Sequence, residues 1–246
     1  MKQYWNITGN TIVWDTKNGD SHSDNLEMSG LYCSQIVYYG TKDDGTLSLS
    51  QKLFFPTLRT IPNNTHATFG FNIDQSTDIH FLRFGDIIAE YPEKFTIDGT
   101  LTIQSHAENL KITRLFFPST DGRFAVQIIT LTAESDTEIQ VSLNSPCTIS
   151  CGRGTKGVYL CQIHHNAPSV ISLRGGEKRE IAVFYTALIS GESFEIPQGA
   201  HELEKRYKRI EELCDGSLIL DTGIPELDTM TRLAKLRAGE SIFETL

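Results

Sequence analysis

Residues 31–55, LYCSQIVYYGTKDDGTLSLSQKLFF, decide the fold. Two arms rich in Val, Ile, Tyr, Leu and Phe flank Asp43-Asp44-Gly45, residues that accept the backbone angles of a tight reversal. The second arm alternates Leu-Ser-Leu-Ser, the period of a strand with one face buried. An antiparallel hairpin follows. YWNITGNTIVWD (residues 4–15) turns in the same way at Gly9-Asn10, and EKFTIDGTLTIQ (residues 93–104) at Asp98-Gly99.

The same period continues through LKITRLFFPS, FAVQIITLTA, TEIQVSLN, GVYLCQIHH, PSVISLRG and KREIAVFYTALI. About a dozen strands at this spacing predict a mainly β protein, a large antiparallel sandwich over residues 1–196 with no long helix inside it. QKLFFPTLRT and TRLFFPSTDG each close a strand with two phenylalanines and a proline. Proline there is expected to stop the ladder where the strand leaves its sheet, with the aromatic rings filling the core. The shared word is too short to mark a duplication.

The pattern changes after GESFEIPQG. In AHELEKRYKRIEELCDG, Leu203, Tyr207, Ile210 and Leu213 recur at intervals of four, three and three, the stripe of an amphipathic helix over 197–216 that Gly216 ends. These four are expected against the sandwich, with Glu204, Lys205 and Lys208 in water. Pro225 opens a second helix. Leu227, Met230, Leu233 and Ala234 mark one of its sides, while Leu236, Ile242 and Phe243 lie around from it. A helix apolar on several sides expects several neighbours, and one sandwich face covers only one.

A chain of 246 residues is long enough to bury a sizeable core, and 39% hydrophobic with 22% charged residues is ordinary globular composition. No stretch approaches the roughly 18 apolar residues of a membrane span. The net charge of −9, without a Lys/Arg stripe, argues against nucleic acid as a partner. The opening MKQYWNITGNTIVWDT shows no apolar signal core, which leaves the compartment open. Cys33, Cys147, Cys151, Cys161 and Cys214 form no disulfide framework, and CTISC lacks a second ligand pair for zinc, so buried reduced thiols and no metal are expected. No cofactor motif is present: in SCGRGTKG, Lys156 is followed by Gly157 and a strand instead of by Ser or Thr and a helix. The histidines of QIHHNAP point to opposite faces of a strand and cannot share a metal.

Two words concentrate chemistry. HSDNLEMSG (22–30) holds His22, Asp24 and Glu27 just ahead of a strand. Carboxylates flanking a glycosidic bond sit roughly 5–9.5 Å apart, which a loop can reach. Asp24 fits equally as a turn cap and Glu27 as a partner of Arg59. FFPTLRTIPNNTH (54–66) holds Arg59, Asn63, Asn64 and His66, donors and acceptors suited to sugar hydroxyls; Pro-Asn-Asn is also ordinary turn chemistry.

These words, with the terminal MTRLAKLRAGESIFETL, resemble the N-terminal half of the bacterial six-hairpin glycosidases. The resemblance implies a β-supersandwich, a linker helix and the first helix of an (α/α)6 barrel, here residues 217–246, in a protein acting on a glycan. It places the catalytic carboxylates in the barrel, so this chain alone is expected to be inactive and to self-associate. His22, Asp24, Glu27, Arg59, Asn63, Asn64 and His66 then border the interdomain seam or the sugar pocket, and the parent is expected in the periplasm or outside the cell. Two alternatives are a free-standing carbohydrate-binding sandwich, which needs an exposed aromatic platform, and a mutarotase-like enzyme, which needs paired histidines and an acid on a concave sheet.

Overall fold

The computed structural model describes residues 3–64, 66–216 and 218–244. The strands in chain order are β1 (Asn6–Thr8), β2 (Thr11–Asp15), β3 (His22–Ser29), β4 (Ser34–Thr41), β5 (Leu47–Arg59) and β6 (Thr68–Ile73). They continue with β7 (Phe81–Arg83), β8 (Asp86–Ile87), β9 (Tyr91–Ile97), β10 (Leu101–Ala107), β11 (Leu110–Pro118) and β12 (Phe124–Ala133). The last are β13 (Thr137–Val141), β14 (Cys147–Gly154), β15 (Gly157–His165), β16 (Val170–Leu173) and β17 (Lys178–Ile189), before helices α1 (Gly199–Cys214) and α2 (Pro225–Glu240). Every strand pairing is antiparallel, so the mainly β class expected from the period-two segments is what the chain adopts.

A nine-stranded sheet runs β1-β2-β9-β10-β11-β12-β17-β15-β14; facing it are a sheet ordered β3-β4-β5-β6 and a smaller one ordered β16-β13-β7-β8. The three hairpins turn where Gly9, Gly45 and Gly99 supply positive φ (59°, 81° and 99°), a region that costs a side chain free energy but costs glycine none. Aliphatic and aromatic side chains from the facing sheets make the main core around Phe55, Ile112, Ile129 and Val183, and a second one around Trp14, Met28, Phe95 and Phe116.

Three expectations change. All of HSDNLEMSG but Gly30 forms an eight-residue edge strand, β3, and not a loop ahead of one. Pro118 ends β11 as expected, but Pro56 lies inside β5, which continues to Arg59 through an irregularity in its pairing with β6. A residue without an N–H is tolerated where the ladder is already broken. The cysteines are all free, yet Cys147 and Cys151 are only half-buried, because β14 is the edge of its sheet.

The helices occupy the expected places, but the face of α1 differs. Gly199, Glu202, Arg206, Ile210 and Cys214 are its buried residues, spaced three or four apart, whereas Tyr207 is 42% exposed and Leu203 and Leu213 are half-buried. Apolar periodicity favoured one stripe; buried hydrogen bonds turn the helix about one residue from it. Residues beyond Arg237 are also better packed than a lone helix end implies. Glu240 is 5% exposed, Gly239 lies against Leu213, and the Glu244 N–H donates to the Leu31 carbonyl at 3.0 Å. Ile242 is exposed and Phe243 half-buried. Leu246 lies outside the described residues.

Candidate functional site

Because β3 is a strand, residues three apart point to opposite faces, so Asp24 and Glu27 cannot flank one bond. Asp24 accepts from Trp5 Nε1 at 3.2 Å and from the Asn25 N–H at 2.8 Å. His22 stacks on Tyr4 with centroids 4.3 Å apart. Glu27 accepts from Ser34 Oγ at 3.0 Å and pairs with Arg237 of α2 at 3.1 Å, and Arg237 Nη1 also donates to the Glu27 carbonyl. The partner expected for Glu27 was Arg59; two strands across from Glu27 the register sets Lys52 instead.

Arg59 ends β5, where Nη1 donates to Thr68 Oγ1 at 3.2 Å and its carbonyl accepts from the Tyr159 hydroxyl at 2.8 Å. Asn63 sits at φ 55°, Asn64 Oδ1 accepts the His66 N–H at 2.9 Å, and all three side chains are exposed. These are turn contacts. The Arg59 word therefore meets the β14–β15 hairpin, while the β3 word meets the helices.

Arg206 holds that second meeting together. Its guanidinium is 1% exposed; Nε and Nη2 donate to the Gly99 carbonyl at 3.2 and 2.6 Å, Nη1 to the Ser29 carbonyl at 3.2 Å, and Nη2 also to Glu240. Glu240 is shared with Arg237 at 2.9 Å. Buried Glu202 takes the Ser119 hydroxyl at 2.8 Å. One cation thus ties a strand end, a hairpin turn and both helices, and glycine is required beside it: Gly99 has a φ of 99°, and a Cβ on Gly30 would stand 1.9 Å from the Ser119 carbonyl. The link between the helices and the outer side of α2 expose apolar groups, with Leu218, Ile219, Ile224 and Met230 between 50% and 80% exposed, whereas α1 turns Glu204, Lys208, Glu211 and Glu212 outward.

A second constellation, between the facing sheets, was missed at the sequence level. Arg114 projects inward from β11 in register with Leu110, Ile112 and Phe116 and is 2% exposed. Its Nε and Nη2 grip Glu90 at 3.1 and 2.5 Å, and Ser105 Oγ donates to the same carboxylate at 3.0 Å. Burial opposes the charge of Glu90, but the guanidinium outweighs it and holds the carboxyl below its usual range. Asp78, 7% exposed, accepts from Tyr185 at 2.6 Å, from Gln51 at 3.4 Å and from the Ile79 N–H at 2.8 Å. Gln35 donates to Gln51 at 2.7 Å, and the Tyr185 oxygen lies 2.5 Å from Gln127 Oε1. Burial, then Asp78, drives the phenol pKa upward, so Tyr185 keeps its proton.

A cavity of about 420 Å³ opens onto this row, lined by Asp78, His80, Glu90 and Arg114 and by serines 48 and 50 of β5. His80 Nε2 lies 2.9 Å from the Gln75 carbonyl, which can only accept, so Nε2 carries the hydrogen and Nδ1 is the acceptor. Burial pushes His80 below the usual imidazole value against the pull of Asp78. A signal was present in the sequence: Arg114, like Gln127 in FAVQIITLTA, is a polar residue inside an otherwise apolar strand pattern.

The two other features weighed from sequence read differently in three dimensions. Trp14 is fully buried and stacks on Phe95, and Trp5 meets Trp14 edge-on, so neither forms an exposed flat platform. His164 and His165 are buried on β15 and contact Gln162 and the Leu143 carbonyl, on a different part of the molecule from the cavity, which holds a single histidine. Among the described residues, no three His, Cys, Asp or Glu side chains gather as a metal site requires, and no helix is long and apolar enough to cross a membrane.

No protein-family model and no curated protein matches the chain. Among solved structures it is similar to a putative kojibiose phosphorylase from human microbiome, at 11% identity and a TM-score of 0.48 over 96% of this chain. The chain spans 38% of that protein's length.

Proposed function

We propose that this chain is a non-catalytic domain of a carbohydrate-processing enzyme of the six-hairpin kind. Residues 1–196 are its sandwich, 197–216 its linker helix and 217–246 the beginning of its helical domain. The observation that supports this is the layer made by α1 and α2. Its inner side is locked to β3 and to the β9–β10 turn by Arg206, Glu240 and Arg237, while the α1–α2 link and the outer side of α2 present Leu218, Ile219, Ile224 and Met230 to solvent. An inward side fixed by buried ions and an outward side left apolar at α2 and the link suit a seam between two domains. In this reading Glu27 holds α2 to β3, His22 and Asp24 pack on Tyr4 and Trp5, and none of the three does chemistry; Arg59, Asn63, Asn64 and His66 shape a separate turn.

The test is turnover by this chain on aryl glycosides and disaccharides, with and without inorganic phosphate. None is expected. Activity that disappears in Asp24→Asn or Glu27→Gln would place the chemistry in the sandwich and refute the proposal. The outward face is tested by light scattering, where Ile219→Lys/Met230→Lys should reduce self-association of the chain.

A further inference from the structure

We infer that the cavity between the facing sheets is a binding site for a small, neutral, polyhydroxylated molecule. Burying Arg114, Glu90 and Asp78 in a sandwich core is costly, and well-packed apolar residues at such positions are commonly as stable or more so. Such groups beside a cavity therefore call for a role beyond stability. The opening is large enough: about 420 Å³ lies within the range of small-molecule sites.

The charges decide the ligand class. Arg114 is gripped by both oxygens of Glu90, and Asp78 is held by Tyr185, Gln51 and a backbone N–H. An entering anion would have to displace Glu90, and an entering cation would have to draw Asp78 from its donors. Either would strand a buried charge. A neutral ligand disturbs neither pair. Of the remaining lining groups Lys42 is charged, but it is exposed to solvent; the others are uncharged, the hydroxyls of Ser48 and Ser50 and the Gln75 amide able to donate and accept and Nδ1 of neutral His80 able to accept. Leu49 and Ile88 supply apolar wall between them. Alternating hydroxyl-compatible and aliphatic surface fits a sugar or cyclitol, whose rings carry both. The inference concerns the pocket of this chain and holds whether or not the enzyme proposal does.

Amide chemical-shift mapping of the 15N-labelled chain tests it, with glucose, galactose and myo-inositol as neutral probes and glucose 6-phosphate and glucosamine as charged ones. Saturable shifts at Ser48, Ser50, His80 and Ile88 with at least one neutral probe, insensitive to added salt, are expected. His80→Phe and Ser50→Leu should each weaken that binding about tenfold, the scale of one lost hydrogen bond or an obstructed wall. Mapping on the unmodified chain keeps the test decisive if a variant fails to fold. Shifts confined to residues outside the cavity, binding by the charged probes alone, or no shift with any probe would overturn the inference.

Discussion

Arg206→Ala should release the helical layer from the sandwich. The substitution removes the donors to the Gly99 and Ser29 carbonyls and the buried partner of Glu240, which keeps only Arg237. Losing one member of a buried ion pair costs about 3–5 kcal/mol, and two stranded carbonyls place this case toward the upper end. Glu240→Ala should cost less, about 3 kcal/mol at most, because Arg206 keeps its three bonds to carbonyl oxygens. Arg206→Met/Glu240→Leu removes both charges together and should be more stable than Arg206→Ala. The cycle of the two alanine variants and their double should show a coupling of roughly 2 kcal/mol. Urea unfolding followed by two signals checks this: Trp fluorescence reports the sandwich through Trp14, buried in its second core, and far-ultraviolet circular dichroism is weighted toward α1 and α2. In Arg206→Ala the helical signal should be lost at lower urea than the fluorescence signal. Coincident transitions unshifted from the parent chain, or alanine effects that add within about 0.5 kcal/mol, would refute the clamp.

Gly30→Ala forces a Cβ to within 1.9 Å of the Ser119 backbone carbonyl and should lower stability by about 1–3 kcal/mol or more, read as a fall in the urea midpoint. Ile210→Asp places a carboxylate beside Cys214 and Leu236, and the melting temperature should drop by the equivalent of a core truncation plus a buried charge, several kcal/mol on the order of a Leu→Ala change; an unchanged melting temperature would mean the helix is not packed there. Stability should also depend on pH in two windows. His80 is held below its unfolded value, so the unfolded chain binds the extra proton first; its contribution is complete above about pH 6.5 and is lost as pH falls below that. Glu90 is likewise depressed, so its contribution is present above about pH 4.3 and is lost as pH falls further. Urea midpoints across pH should show the first step shrink in His80→Phe, the remainder belonging to His164, which burial and then His165 also hold below the usual imidazole value; an unchanged step would refute the His80 assignment.

The sequence by itself determined the class, the hairpins and both helices. Turns at Gly9-Asn10, Asp43-Asp44-Gly45 and Asp98-Gly99, and helix starts at Gly199 and Pro225, are local events set by backbone angles and by the period of apolar residues. The strand character of HSDNLEMSG escaped notice because an edge strand buries little and needs no strong alternation. The buried face of α1 could not be read from apolar spacing either. Arg206 and Glu202 look like solvent residues until the carbonyls of Gly99 and Ser29 and the hydroxyl of Ser119 converge on them from distant parts of the chain. The same holds between the sheets: Glu90, Arg114, Asp78 and Tyr185 span 107 positions of sequence from Asp78 to Tyr185, and each alone is an oddity in a strand or loop. Only sheet packing brings their charges within hydrogen-bond reach in a space without water's screening, and there the pairing of ions decides what the cavity can hold.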